Sequence, residues 1–271
     1  AAYALTAYCG AWLKANYPSA FYTVALQWAD DKEIPSLMAE MERCSPAKIV
    51  PPDINRSADR FTVEEGGIRF GLVAIKNIGR GFIQAVMRER ETGGDFTSLY
   101  DFCSRMNGSE MNKRAVENLI RSGAFDSMGA RRSQLIKVYE SVMDSVAAQQ
   151  RENVEGQMDF FSMAADNDEK SNSVKEIPLP DIPEYTPEEL MTMEKATTGL
   201  YLSGHPMDHY RDAVRKLHAP TIVSIIEDFS RENGPERFTD GQRITIAGVI
   251  TSSKTKTTKN NSLMAYVMVE D

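Results

Sequence analysis

The chain has 271 residues, 42% hydrophobic and 26% charged, which leaves room for two domains, or three small ones, and excludes a peptide-sized or wholly disordered protein. A total of 31 Lys and Arg against 39 Asp and Glu gives a net charge of −8, which excludes a uniformly basic nucleic-acid binder. No apolar run reaches the roughly 18 residues of a membrane span, and Ala1-Ala2-Tyr3 offers neither a secretory leader nor an initiator Met, so a fragment of a soluble cytoplasmic protein is expected.

The charge is unevenly spread. Residues 66–137 carry 12 basic and 7 acidic side chains, whereas residues 138–200 carry 4 and 14, so a basic segment is followed by a strongly acidic one. The three cysteines, Cys9, Cys44 and Cys103, are widely spaced without metal-ligand partners and read as buried thiols in a reducing compartment.

Leu5, Tyr8, Cys9, Trp12 and Leu13 recur at helical spacing and predict a first helix with one buried face, ended by Pro18. A second helix is predicted around residues 30–43. After Pro51-Pro52-Asp53, the alternation of Ile68, Phe70, Leu72 and Ala74 with Arg69, Gly71 and Val73 predicts a strand.

From Ile75 short helices alternate with glycine turns: residues 75–81, then Phe82, Ile83, Val86 and Met87, then Ala115, Val116, Leu119 and Ile120 before Ser122-Gly123-Ala124. Leu135, Val138, Tyr139, Val142, Met143 and Val146 form the clearest helical stripe, and a linker is expected to begin at Ala147-Ala148-Gln149-Gln150. Residues 151–185 hold 9 acidic and 3 basic side chains with Pro178, Pro180 and Pro183, a composition too polar to bury a core. Thr186-Pro187-Glu188-Glu189 reads as a capping box that starts a helix. Met207, Tyr210, Val214 and Leu217 mark another, and two strands are predicted at 244–250 and 263–269 around a polar turn at 254–261. The fold class that results is mainly α with small β elements, α+β.

Two glycine hairpins in the basic segment can carry chemistry. Glycine lets the backbone approach a phosphate, and the free N–H groups of the following helix start point at it. The candidate DNA contacts are Lys76, Asn77, Ile78, Gly79, Arg80 and Gly81 in the first hairpin, and Arg121, Ser122, Gly123 and Ala124, with Arg131 and Arg132 opening the next helix, in the second. The competing reading is that Gly79 and Gly123 merely end helices.

In the acidic linker, Gln157, Met158, Asp159, Phe160 and Phe161 form its only apolar knot. Two exposed aromatics are costly there unless a partner's groove takes them or they fold back as an anchor. Lys254, Lys256 and Lys259, among Thr and Asn, could follow a single strand, or form an ordinary solvated hairpin. His205 and His209 lie one turn apart, but Pro206 breaks their alignment, and these two with His218 are assigned structural roles rather than metal ligation. No nucleophile triad, phosphate-binding loop or dinucleotide fingerprint is present, so nothing in the chain reads as catalytic by itself.

Longer strings carry a family resemblance. Ala1-Ala2-Tyr3-Ala4-Leu5, Trp12-Leu13-Lys14-Ala15-Asn16-Tyr17-Pro18, Pro51-Pro52-Asp53-Ile54-Asn55 and Phe70-Gly71-Leu72-Val73-Ala74-Ile75-Lys76 resemble the late fingers region of the bacterial replicative DNA polymerase III alpha subunits, the C-family polymerases. Leu119-Ile120-Arg121-Ser122-Gly123-Ala124-Phe125-Asp126 is similar to the second half of that family's tandem helix-hairpin-helix unit. Gly199-Leu200-Tyr201-Leu202-Ser203-Gly204-His205-Pro206 is similar to the segment before its OB domain.

The resemblance implies an end of fingers at 1–74, a tandem helix-hairpin-helix domain at 75–146, a linker at 147–185, a helical connector at 186–240 and an incomplete OB domain at 241–271. It implies that Gln157 to Phe161 dock the sliding clamp, the beta subunit, and that the hairpins grip duplex DNA without base preference. Other replisome subunits, and single-stranded DNA at the OB domain, are further implied partners, and no membrane is. Asn77 stands where some members have Gly, a left-handed position Asn tolerates. The family's catalytic carboxylates, which hold two Mg2+ ions, lie in a palm domain upstream, so this stretch is expected to need no cofactor and to be inactive alone. The rival is a non-catalytic scaffold with purely structural glycine hairpins.

Overall fold

The computed structural model describes residues 2–30, 33–65, 67–108, 111–154, 177–231, 234–258 and 260–271. The chain forms two units, Ala1–Ser203 and Gly204–Asp271. The α+β expectation holds: the described residues are mostly helical, with two small sheets.

The first unit opens with α1 (Ala2–Asn16), α2 (Pro18–Trp28) and α3 (Ile34–Cys44). Pro18 both ends one helix and starts the next, because it lacks the N–H that would continue α1 and presets φ at the first position of α2. The periodicity of α1 is real, but the face it marks is not buried: Leu5 is 65% and Tyr8 67% exposed. Spacing identifies an apolar face; it does not say what covers it. Cys9 and Cys44 are likewise exposed, against expectation, and only Cys103 is a buried thiol, its pKa pushed up to about 12 by desolvation.

A three-stranded sheet follows, in the order β1 (Lys48–Val50), β3 (Gly67–Arg69), β2 (Thr62–Glu64), with β1 parallel and β2 antiparallel to β3. A side chain at Gly67 would collide with the Lys48 carbonyl across the β1–β3 pair, so that pairing requires glycine. The predicted strand is shorter than its alternation suggested, since Leu72–Ala74 turn into a 3-10 helix.

Four helices build the rest of the core: α4 (Arg80–Gly93), α5 (Leu99–Met106), α6 (Lys113–Arg121) and α7 (Arg132–Val154). Ser98 caps α5 through the Asp101 N–H at 3.1 Å, and Asn112 caps α6 through the Ala115 N–H at 2.9 Å. Phe102 lies at the centre, edge-on to Phe82 at 6.2 Å and to Phe96 and Phe125 at 5.0 Å each. Phe82 follows the first hairpin and Phe125 closes the second, so one aromatic cluster fixes both.

The linker expectation is corrected at its start. α7 continues through 147–154, because Ala147, Ala148, Gln149, Gln150, Arg151 and Glu152 are strong helix formers that need no apolar stripe. Tyr100 also pins this end, donating its hydroxyl hydrogen bond to Gln149 Oε1 at 2.7 Å. Residues 177–186 form neither helix nor strand, with Ile177 packed on the core. Then α8 (Pro187–Thr198) begins with the predicted capping box, Glu189 Oε2 accepting from the Thr186 N–H at 2.8 Å.

The second unit holds a 3-10 turn at Pro206–Tyr210, α9 (Arg211–Leu217), α10 (Ile222–Phe229) and an antiparallel hairpin of β4 (Val249–Thr257) and β5 (Leu263–Glu270). His205 caps the 3-10 turn, its Nδ1 accepting from the Met207 N–H at 3.2 Å, and His218 ends α9 in a left-handed conformation, φ 52°. Burial works against the Asp228 charge, yet the N–H groups of Arg237, Phe238 and Glu236 outweigh it and hold that carboxyl below its ordinary value. No helix among the described residues is long and apolar enough to cross a membrane.

Candidate nucleic-acid interface

The first hairpin is not a helix over 75–81. It is a 3-10 turn, Leu72–Ala74, then a reversal through Asn77, then α4 from Arg80. Asn77 takes the left-handed conformation, φ 63°, as expected for an Asn standing in for Gly. Gly79 is the N-cap of α4 and makes no side-chain cap. The opening N–H groups of α4, at Arg80, Gly81 and Phe82, have no intrahelical acceptor, and the turn is exposed at Arg80 and Gly81 while Phe82 is buried.

Three hydrogen bonds hold this loop in place. Asn118 of α6 donates to the Lys76 carbonyl at 2.6 Å, and the Lys76 N–H donates to Thr197 O at 2.9 Å. The Lys76 ammonium reaches Ala196 O at 3.0 Å, at the C-terminal end of α8, where a cation is favoured. Ile78 packs on the core, while Asn77, Gly79, Arg80 and Gly81 are exposed. Beside them a cavity of about 380 Å3 is lined by Asp59, Arg60, Arg80 and Gln84, among others.

The second hairpin is built differently. Gly123 is left-handed, φ 83°, and a side chain there would meet the Arg132 guanidinium and the Asp126 carboxylate. Ser122, Ala124 and Phe125 are fully buried; Ser122 Oγ donates to Leu119 O, and Ala124 O accepts from the Ile54 N–H at 2.8 Å. Arg121 pairs with Glu117 at 2.8 Å. Arg132 opens α7 as predicted but is buried and bound to Asp126 at 2.6 Å and to Glu194 at 3.0 Å. Burial works against its charge, yet the two carboxylates raise its pKa. Arg131 reaches the Ile182 carbonyl at 2.7 Å and Asp181 at 3.3 Å. The structure thus brings the predicted residues of each hairpin together, the first open and the second engaged internally.

Asn118, Glu184 and Glu194, which position these hairpins, went unmarked in the sequence reading. Two of them left a signal, though not the identity of their partners: Asn118 and Glu194 interrupt helix faces that are otherwise apolar or small, and buried polar residues demand partners.

Lys254 and Lys256 lie within β4 rather than in a turn, opposite Tyr266 and Met264, and the predicted start of that strand at 244 moves to Val249. The Lys256 ammonium is 6.0 Å from the Tyr266 ring. Lys259 and the knot Gln157, Met158, Asp159, Phe160 and Phe161 lie outside the described residues.

A short reversed loop leading into a helix, repeated on a shared core, defines a helix-hairpin-helix domain, and residues 47–135 match the family model described as helix-hairpin-helix motif. The resemblance extends further. Over 294 residues and 100% of this chain, it is 35% identical to DNA polymerase III subunit alpha of Pseudomonas aeruginosa, covering 23% of that protein. It is 34% identical over 275 residues to the same subunit of Deinococcus radiodurans and 31% identical over 274 residues to that of Vibrio cholerae, covering 20% and 22% of them. From end to end the chain is homologous to a stretch of DNA polymerase III subunit alpha, and it spans between a fifth and a quarter of the length of these curated relatives.

Proposed function

We propose that this chain is the duplex-gripping and clamp-tethering part of a DNA-directed DNA polymerase that works in the cytoplasm during DNA replication. The observation that carries the reading is the first hairpin: an exposed α4 start with no side-chain cap, preceded by left-handed Asn77 and flanked by Arg80. Backbone N–H groups at a helix start bind a phosphate without reading bases, which suits an enzyme that must hold any sequence.

In this reading residues 1–74 belong to the fingers, 75–146 to the DNA-gripping domain, 147–185 to the clamp tether, 186–240 to a connector and 241–271 to an OB domain. Gln157 and the Phe160-Phe161 pair dock the sliding clamp, raising the local concentration of DNA at the polymerase. Lys254 and Lys256, with Tyr266 opposite, offer single-stranded DNA a cationic and aromatic strip. Other replisome subunits are the remaining partners.

Among the described residues no group of three or more His, Cys, Asp or Glu side chains is placed to hold a metal ion. We assign catalysis to residues of the parent polymerase outside this chain, with this stretch inactive alone.

The second reading, a scaffold with structural hairpins, is favoured by the internal commitments of Arg121, Ser122 and Arg132. Duplex affinity measured by fluorescence anisotropy across a range of salt separates the two. The gripping role predicts a linear fall with log salt and little base preference, with a slope shallower by about one to two after Lys76→Ala with Arg80→Ala. A flat salt dependence favours the scaffold.

A further inference from the structure

The start of α7 is already filled by an anion. Glu184 Oε2 accepts from the Arg132 N–H at 2.8 Å, and Oε1 accepts from the Ser133 N–H at 2.9 Å. The neighbouring contacts come from the same acidic segment: Arg131 with Asp181 and the Ile182 carbonyl, and Gln134 Nε2 with Pro180 O at 2.8 Å. A helix start presents unpaired N–H groups and a positive dipole end, so a carboxylate there stands where a phosphate would.

One donor at this site is unspent. Ser133 is 94% buried, and its hydroxyl has no hydrogen-bond partner among the described residues. The carboxylate accepts from three backbone N–H groups, those of Arg132, Ser133 and Tyr185, and leaves the hydroxyl without a hydrogen bond, whereas a phosphate brings a further oxygen for it.

The segment is also held so that it can leave. Glu184 and Asp181 are exposed, and the Arg131–Asp181 pair is of the solvent-screened kind that contributes little. Arg132 is anchored separately, by Asp126 and Glu194, so the helix start keeps its place without Glu184.

We infer that the N-terminus of α7 is a masked phosphate site, occupied by Glu184, which a duplex backbone enters by displacing residues 180–185. This rests on the duplex-gripping reading and adds the regulation of its second hairpin: that hairpin joins the grip only when the acidic segment yields.

Two measurements on the 271-residue chain test it. In hydrogen–deuterium exchange of the unaltered chain, saturating duplex at low salt is expected to raise uptake over 178–186 and lower it over 131–134. By anisotropy, Glu184→Gln is expected to bind duplex about fivefold more tightly, with a salt slope steeper by about one. Glu188→Gln, an equal charge change in the first turn of α8, is expected to match the parent. If the parent binds duplex while Glu184→Gln behaves like Glu188→Gln and uptake over 178–186 does not rise, the mask is refuted and the first-hairpin grip stands. If neither the parent nor Glu184→Gln binds, both fall.

Discussion

Arg132 and Glu194, 62 positions apart, meet as a buried ion pair at 3.0 Å, and the second Glu194 oxygen accepts from the N–H groups of Leu202 and Ser203 at 3.0 and 2.9 Å. One carboxylate thus ties the start of α7, the second hairpin and the loop after α8. Every oxygen is used, which is the condition under which a buried charge is tolerated.

Removing Glu194 leaves the Arg132 guanidinium buried with Asp126 as its remaining carboxylate partner. Glu194→Ala is expected to lower the urea-unfolding free energy of the first unit by about 3 kcal/mol, within the range for breaking a buried pair. A change as small as that of a surface substitution would contradict this role.

The aromatic cluster makes a second prediction. Because Phe102 touches Phe82, Phe96 and Phe125, Phe102→Ala is expected to cost about 3–5 kcal/mol. Exchange protection at 83–87, in the first turns of α4, and at 119–125 should fall together, since both hairpins rest on one ring. Loss at one hairpin alone would show that they fold independently.

Much of this was legible beforehand, for physical reasons that differ by element. The cap of α8 and the left-handed Asn77 were readable because they depend on local chemistry: a Thr-Pro-Glu-Glu string and an Asn in a tight reversal. The extent of α7 past Ala147 was misjudged because apolar periodicity reports burial, while helix propensity alone carries the chain on to Val154. The covering of α7 by Glu184, and of Arg132 by Glu194, was illegible because pairings across 52 and 62 positions leave no periodic trace. The open first hairpin and the engaged second one look alike in sequence for the same reason.

The pH dependence of stability carries a third prediction. Burial works against the Glu184 charge, but N–H groups of Ser133, Tyr185 and Arg132 outweigh it and hold its pKa below the ordinary 4.5. A depressed carboxyl contributes stability that is fully present above 4.5 and is lost as pH falls through the folded-state value. Glu184→Gln is expected to flatten the curve of Tm against pH in that acidic window and leave its shape above it unchanged. An unaltered acid limb would contradict the assignment.

For the clamp, Gln157→Ala, or Phe160→Ala with Phe161→Ala, is expected to abolish the heat of binding to the sliding clamp in calorimetry while duplex affinity stays as in the parent chain. Retained clamp binding would place the tether elsewhere.

The central claim is that the α4 start is a phosphate seat, and Gly79→Asp tests it most directly. Gly79 has an ordinary extended φ of −75°, so Asp fits the N-cap without strain and supplies a resident carboxylate to the free N–H groups. The grip predicts opposite signs: a slightly higher Tm together with markedly weaker duplex binding and a shallower salt slope. A higher Tm with duplex affinity and slope unchanged would mean that Gly79 only begins a helix.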